Sequence, residues 1–62
     1  MTATQFNAAT AALGCAGYED TAELLGIGVR SVARYAVGAA PVPAVVSRLI
    51  DMLQRHGVPR AW

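Results

Sequence analysis

The stretch that decides the fold is residues 21–38, which read TAELLGIGVRSVARYAVG. It contains two short helical patterns separated by a turn at Gly26, where glycine supplies the positive φ that a sharp turn needs. We predict that the first helix begins at Glu19–Asp20, because carboxylates suit the positive end of a helix dipole. The second helix is predicted to run from Val29 to Val37 and to end at Gly38.

The apolar residues of this stretch are spaced so that the two helices pack across an angle. A small residue, Ala22, precedes Gly26 by four positions and lets the helices cross closely. The larger apolar side chains are expected to fill the angle between them, and these are Leu25, Ile27, Val32 and Tyr35.

A further helix is predicted before this stretch. Thr2 and Gln5 have the spacing of a capping box, in which each side chain bonds the backbone of the other residue. Phe6, Ala9 and Leu13 then fall on one helix face. Either Gly14 or Gly17 is expected to end this helix.

The last helix is predicted over residues 42–56. Proline is tolerated in the first turn of a helix, so Pro41-Val42-Pro43 is taken as its start, and Gly57 with Pro59 as its end. Its inward face is expected to hold Val46, Leu49, Ile50 and Leu53. The sequence therefore predicts an all-α fold, a small bundle of four or five short helices forming one domain over residues 1–62.

Composition and charge narrow the class of protein. The chain has 62 residues, of which 55% are hydrophobic and 15% charged, and this excludes intrinsic disorder. Residues 1–29 carry three acids and no base, a charge of −3, whereas residues 30–62 carry five arginines and one acid, a charge of +4; the sum is the +1 of the whole chain. Such asymmetry between the two halves is one sign of a face that binds a polyanion, although the whole chain is not strongly basic.

Catalytic and cofactor chemistry is not indicated. His56 is the single histidine, with no cluster of cysteines or carboxylates to complete a metal site. Gly26-Ile27-Gly28 lacks the rest of a phosphate-loop fingerprint. Cys15 is the single cysteine and is predicted to be a small apolar residue near the end of the first helix, with a reactive thiol as the alternative. We expect no cofactor, no small-molecule substrate and no membrane partner. The polar residues among positions 1–18 argue against a signal peptide or membrane span, so we expect a cytoplasmic protein.

The spacing around Gly26 resembles the helix-turn-helix of the Cro/repressor-like (XRE) family of DNA-binding regulators. The wider phrase ELLGIGVRSVARYAVGAAPVPAVVSRLIDML is also similar to those proteins, and the resemblance covers residues 18–56. It implies a motif at about 18–38 and a helix at about 42–56 that covers it. It also implies a bacterial or phage regulator of transcription that binds double-stranded DNA as a homodimer and associates with the nucleoid when bound.

The resemblance further implies that the helix over residues 29–37 enters the major groove. Arg30 and Arg34 would then face guanine edges, beside apolar side chains suited to thymine methyl groups. The expected DNA contacts are Gly28, Val29, Arg30, Ser31, Ala33, Arg34, Val37 and Thr21.

Two questions stay open from the sequence. The residues expected to meet a second copy are Val45, Met52, His56 and Trp62, but Val45 and Met52 could instead pack against the first helix. Glu19 and Asp20 stand where the family presents a helix N-terminus to a phosphate, and there they would repel it. This favours an alternative function, a protein-interaction module with the same fold that does not bind DNA.

Overall fold

The computed structural model describes residues 1–57, and these form four α-helices. They are α1 (Ala3–Ala12), α2 (Tyr18–Leu25), α3 (Val29–Ala36) and α4 (Ala44–His56). The all-α prediction is confirmed, with helix boundaries within two residues of those expected. Trp62 lies outside the described residues.

α1 begins and ends as its sequence signals predict. The Thr2 hydroxyl accepts the Gln5 amide at 3.1 Å while the Gln5 side chain accepts the Thr2 amide at 2.9 Å, which completes the capping box. Gly14 has a φ of 87°, and the next amide, of Cys15, donates to the carbonyl of Thr10 at 3.1 Å. Gly14 therefore ends α1 in a Schellman motif, and Gly17 instead precedes α2 as its N-cap.

The turn between α2 and α3 has the geometry predicted at Gly26. Its φ is 70° and its ψ is 30°, the left-handed conformation. The amide of Ile27 donates to the carbonyl of Ala22 at 3.1 Å, which closes the last turn of α2. α3 then begins at Val29, only three residues after Gly26, so the two helices are held close together.

The structure corrects the predicted start of α4. The helix begins at Ala44, two residues later than expected, and Pro43 is its N-cap with a φ of −63° and a ψ of 153°. Val42 precedes a proline, and the proline ring disfavours helical backbone in the residue before it. The segment before Ala44 is therefore not helical, although the end of the helix at His56 is as predicted.

One hydrophobic core joins all four helices. Its largest fully buried side chains are Phe6 of α1, Val32 of α3 and Ile50 of α4. Smaller buried residues complete it, and they are Ala9, Ala22, Leu25, Ala36 and Val46. Partly buried side chains pack around them, namely Leu13, Ile27, Tyr35, Val42, Leu49 and Leu53. The predicted inward faces of the helices are confirmed.

α1 fixes the position of α3 by two contacts that join distant parts of the chain. The Asn7 side-chain amide donates to the carbonyl of Ala36 at 2.8 Å. The rings of Phe6 and Tyr35 meet edge to face with centroids 5.8 Å apart, an arrangement that aromatic quadrupoles favour. Since Ala36 is the last residue of α3, Asn7 satisfies a carbonyl that the helix itself leaves without a partner.

Candidate nucleic-acid interface

The outward face of α3 combines two arginines with exposed valines. Val32 and Ala36 are buried, and this fixes which side of the helix faces solvent. Arg30 and Arg34, one turn apart, are both exposed. Val29 is exposed beside them, and Val37, at the C-terminal end of the helix, is 70% exposed. We call Val29, Arg30, Arg34 and Val37 the α3 face.

Three other predicted contact residues border the α3 face. Gly28 is the exposed N-cap of α3 and makes no side-chain capping bond. Ser31 and Ala33 are only partly buried. The structure thus places every predicted contact residue of α3 at or near its solvent-facing side.

The structure corrects the expected position of the Thr21 side chain. It was expected to contact DNA, but it is only 3% exposed. Its hydroxyl donates to the carbonyl of Gly17 at 3.1 Å, within its own helix. Thr21 adjoins Ala22 on the inward side of α2, and burial of a hydroxyl requires such a partner. Its side chain therefore does not reach a surface where DNA could bind.

The first turn of α2 is acidic and exposed. In this turn Glu19 faces solvent, whereas Asp20 accepts the backbone amide of Ala16 at 3.1 Å. Glu23, one turn further on, is also exposed. Asp20 therefore ties the loop before α2 to the helix, a role that the sequence analysis did not identify. An Asp near a helix start with an irregular segment just before it was the signal available in the sequence.

The two arginines of the α3 face form no salt bridge within residues 1–57. Among residues 1–57 the only salt bridge joins Arg55 Nε to Asp51 Oδ2 at 3.1 Å, one turn apart on α4. Arg30 and Arg34 thus have no carboxylate partner within the described part of the chain. An exposed guanidinium without a partner keeps all its donors for an external anion or base edge.

α4 carries an apolar stripe on its outer side. Val45 is 73% and Met52 58% exposed, so the alternative in which they pack against α1 is wrong. His56 is also exposed, and Leu49 lies partly buried between the stripe and the core. Trp62, the other residue expected at a dimer contact, is outside the described residues.

Cys15 lies in the loop between α1 and α2 and is a free, partly buried thiol. It helps to line a small cavity of about 130 Å³, together with Phe6, Tyr18 and Thr21. The position just beyond α1 agrees with the prediction for this residue.

Comparison with protein-family models, curated proteins and solved structures gave no match. Within residues 1–57, none of the helices combines the length and the apolar character that crossing a lipid bilayer requires.

Proposed function

We propose that this chain is a small sequence-specific DNA-binding regulator of transcription that acts as a homodimer in the cytoplasm. In this proposal α3 enters the major groove and reads a short inverted repeat, one half-site for each subunit. The protein is then nucleoid-associated while bound, and its origin is bacterial or phage.

The observation that carries the proposal is the α3 face. Arg30 and Arg34 are exposed and one turn apart, without a carboxylate partner among residues 1–57. Arginine can bond guanine O6 and N7 together, and each such pair is worth about 1–3 kcal/mol of discrimination. Val29 and Val37 flank the arginines, and methyl groups of this kind suit contact with thymine.

The attachment of α3 also supports the proposal. Base readout needs side chains held on a rigid element. The left-handed turn at Gly26 sets the approach from α2, and Asn7 holds the far end of α3 at Ala36. Both ends of the helix are thus anchored while its outer side stays open.

The first test is selection of bound duplexes from a random DNA pool, followed by affinity measurement at two salt concentrations. We expect an enriched inverted repeat whose affinity falls steeply with added salt, because bound arginines release counterions from the phosphates. A folded protein that enriches no sequence at low salt would argue against the proposal.

Arg30→Glu tests the role of α3 directly. We expect it to abolish specific binding while helicity by circular dichroism and dimer mass stay unchanged, because the residue is exposed. Arg48→Glu is the matched control, since Arg48 on α4 is likewise exposed and outside the one salt bridge of residues 1–57, and the same charge change there should weaken binding only through the overall charge. Specific binding that survives Arg30→Glu would show that α3 is not the reading helix.

The second candidate is a protein-interaction module of the same fold that does not bind DNA. The acidic first turn of α2, with Glu19 exposed, and the burial of Thr21 favour it, because the carboxylates repel a phosphate and the Thr21 hydroxyl is not available to bind one. This candidate predicts no enrichment of DNA and a partner protein that binds through the exposed valines. The selection experiment separates the two.

A further inference from the structure

An open groove of about 490 Å³ lies between the C-terminal ends of α1 and α4. Leu13, just after α1, and Leu53, in the last turn of α4, line it with apolar surface and also pack against the core. Exposed Ala12 and Gln54 line it as well, and Gly57 lines it where the chain leaves α4. The two helices thus leave apolar surface open at this end of the molecule.

We propose that this groove binds residues 58–62 of the same chain, with the indole of Trp62 between Leu13 and Leu53. The segment reads VPRAW and is apolar except for Arg60. Pockets that hold small organic ligands have volumes of about 300–1,000 Å³, so the groove is large enough for an indole ring. The inference goes beyond the proposed function, because none of the described residues that line the groove belongs to the α3 face.

The position of Gly57 puts this segment within reach of the groove. Helical backbone stops at Gly57, which has a φ of 84° and a ψ of 164°, and the groove begins at the same residue. Leu53 lies four residues earlier in α4, about 6 Å back along the helix axis. Residues 58–62 span about 17 Å when extended, which is enough to turn and return over that distance. Pro59 suits the second position of a β-turn, which reverses the chain.

Charge complementarity supports the same occupant. The groove lies at the C-terminal ends of two helices, where the helix dipoles are negative and favour a cation. α1 has no basic residue in its last turn, and the one charged residue of the segment is Arg60. A buried indole N–H needs a hydrogen-bond acceptor, and Gln54, which lines the groove, carries one in its side chain.

Covalent attachment favours this segment over the same segment of a second copy. A short flexible connection gives a tethered group an effective concentration of about millimolar. A second copy in micromolar solution therefore competes poorly for the groove. Binding of residues 58–62 ties the end of α4 to the end of α1 within one molecule.

Intrinsic fluorescence tests the proposal directly, because Trp62 is the single tryptophan of the chain. The free peptide of residues 58–62 is the exposed reference. In micromolar protein we expect emission at a shorter wavelength than from the peptide and a smaller iodide quenching constant, and urea should bring both to the values of the peptide. Native emission identical to that of the peptide would overturn the proposal. Emission that shifts to shorter wavelength only as the protein concentration rises would also overturn it, because a second copy would then cover Trp62.

Leu53→Gln tests whether Trp62 is buried in this groove. It replaces an apolar wall by an amide of similar size and nearly equal helix propensity, so the emission should shift toward that of the peptide while circular dichroism stays unchanged. Leu49→Gln is the matched control and should leave the emission unchanged. Leu49 is also a partly buried residue of α4 that packs against the core, but it is not among the described residues that line the groove.

A second variant keeps the test decisive if Leu53→Gln loses helicity. Ala12→Lys places an ammonium group at an exposed position of the same groove, near a helix C-terminus that favours a cation, and should shift the emission in the same direction. Emission equal to that of the parent protein in a folded groove variant, or an equal shift in Leu49→Gln, would show that Trp62 is not bound in this groove. The readout does not involve DNA, so its result and that of the duplex selection are independent.

Discussion

Replacing Asn7 by aspartate tests whether α1 holds the end of α3. The two side chains have nearly the same shape, but aspartate has no N–H to donate to the Ala36 carbonyl, which lies 2.8 Å from Asn7 Nδ2. Asn7→Asp therefore turns a hydrogen bond into a contact between a carboxylate and a carbonyl oxygen. It also puts a negative charge at the negative end of the α3 dipole.

The magnitude follows from these two effects. A hydrogen bond of this kind contributes about 0.5–1.5 kcal/mol, and an unfavourable charge at a helix end costs about 0.3–1 kcal/mol when exposed. Helix propensity is nearly equal for Asn and Asp. We expect a total loss of about 1–2 kcal/mol, against a stability of about 3–9 kcal/mol for a chain of this size.

The assay is thermal and urea unfolding, followed by circular dichroism at equal protein concentrations. For a domain of this size the loss corresponds to a fall in Tm of about 4–16 °C. Asn7→Ala is the matched control. It also removes the hydrogen bond, but it adds no charge and gains helix propensity, so it should be the less destabilised of the two.

Lowering the pH provides a second check on the same variant. Once the pH falls through about 4, the carboxyl group takes up a proton and again has a hydrogen to donate. The difference from the parent protein should therefore narrow in acid. Equal unfolding midpoints for Asn7→Asp and the parent protein at pH 7, or greater destabilisation in Asn7→Ala, would refute the reasoning.

Two further predictions concern the core and the turn. Ile50→Ala removes a side chain that is 0% exposed and should lower the free energy of unfolding by about 2–5 kcal/mol. Val45→Ala, on the outer side of the same helix, should change the stability of the monomer little. Urea unfolding in dilute solution compares the two variants, and similar losses of stability would contradict the core assignment. Gly26→Ala should cost about 1–2 kcal/mol, because alanine resists the left-handed conformation, whereas Gly28→Ala, at a φ of −70°, should cost less. Neither added methyl meets an atom within 4 Å, so equal losses in thermal unfolding would show that backbone conformation is not the cause.

The sequence predicted the local features of this fold well. Capping at Thr2 and the turn at Gly26 depend on neighbours within a few residues, and both formed as expected. The buried faces also followed from helical periodicity, since Val32 and Ile50 are each at the centre of an apolar stripe. The outward position of Arg30 on α3 then follows from the burial of Val32.

Long-range features were not predictable in the same way. Asn7 and Ala36 are separated by 29 positions, and a lone asparagine in a helix carries no signature of a distant acceptor. Thr21 was misassigned because it adjoins the start of α2, where a hydroxyl looks available, while the packing of α2 on α3 turns it inward. The predicted start of α4 was wrong for a local reason. Proline is tolerated in the first turn of a helix, but the ring of Pro43 disfavours helical backbone in the residue before it.

The shared core has a consequence for the lifetime of α3 as an ordered helix. Its one fully buried side chain, Val32, belongs to the same cluster as Phe6 and Ile50, and an eight-residue helix is too short to persist alone in water. α3 therefore cannot detach while the rest of the molecule stays folded. Its interior amide protons should exchange with solvent only through global opening, in step with those of α1 and α4.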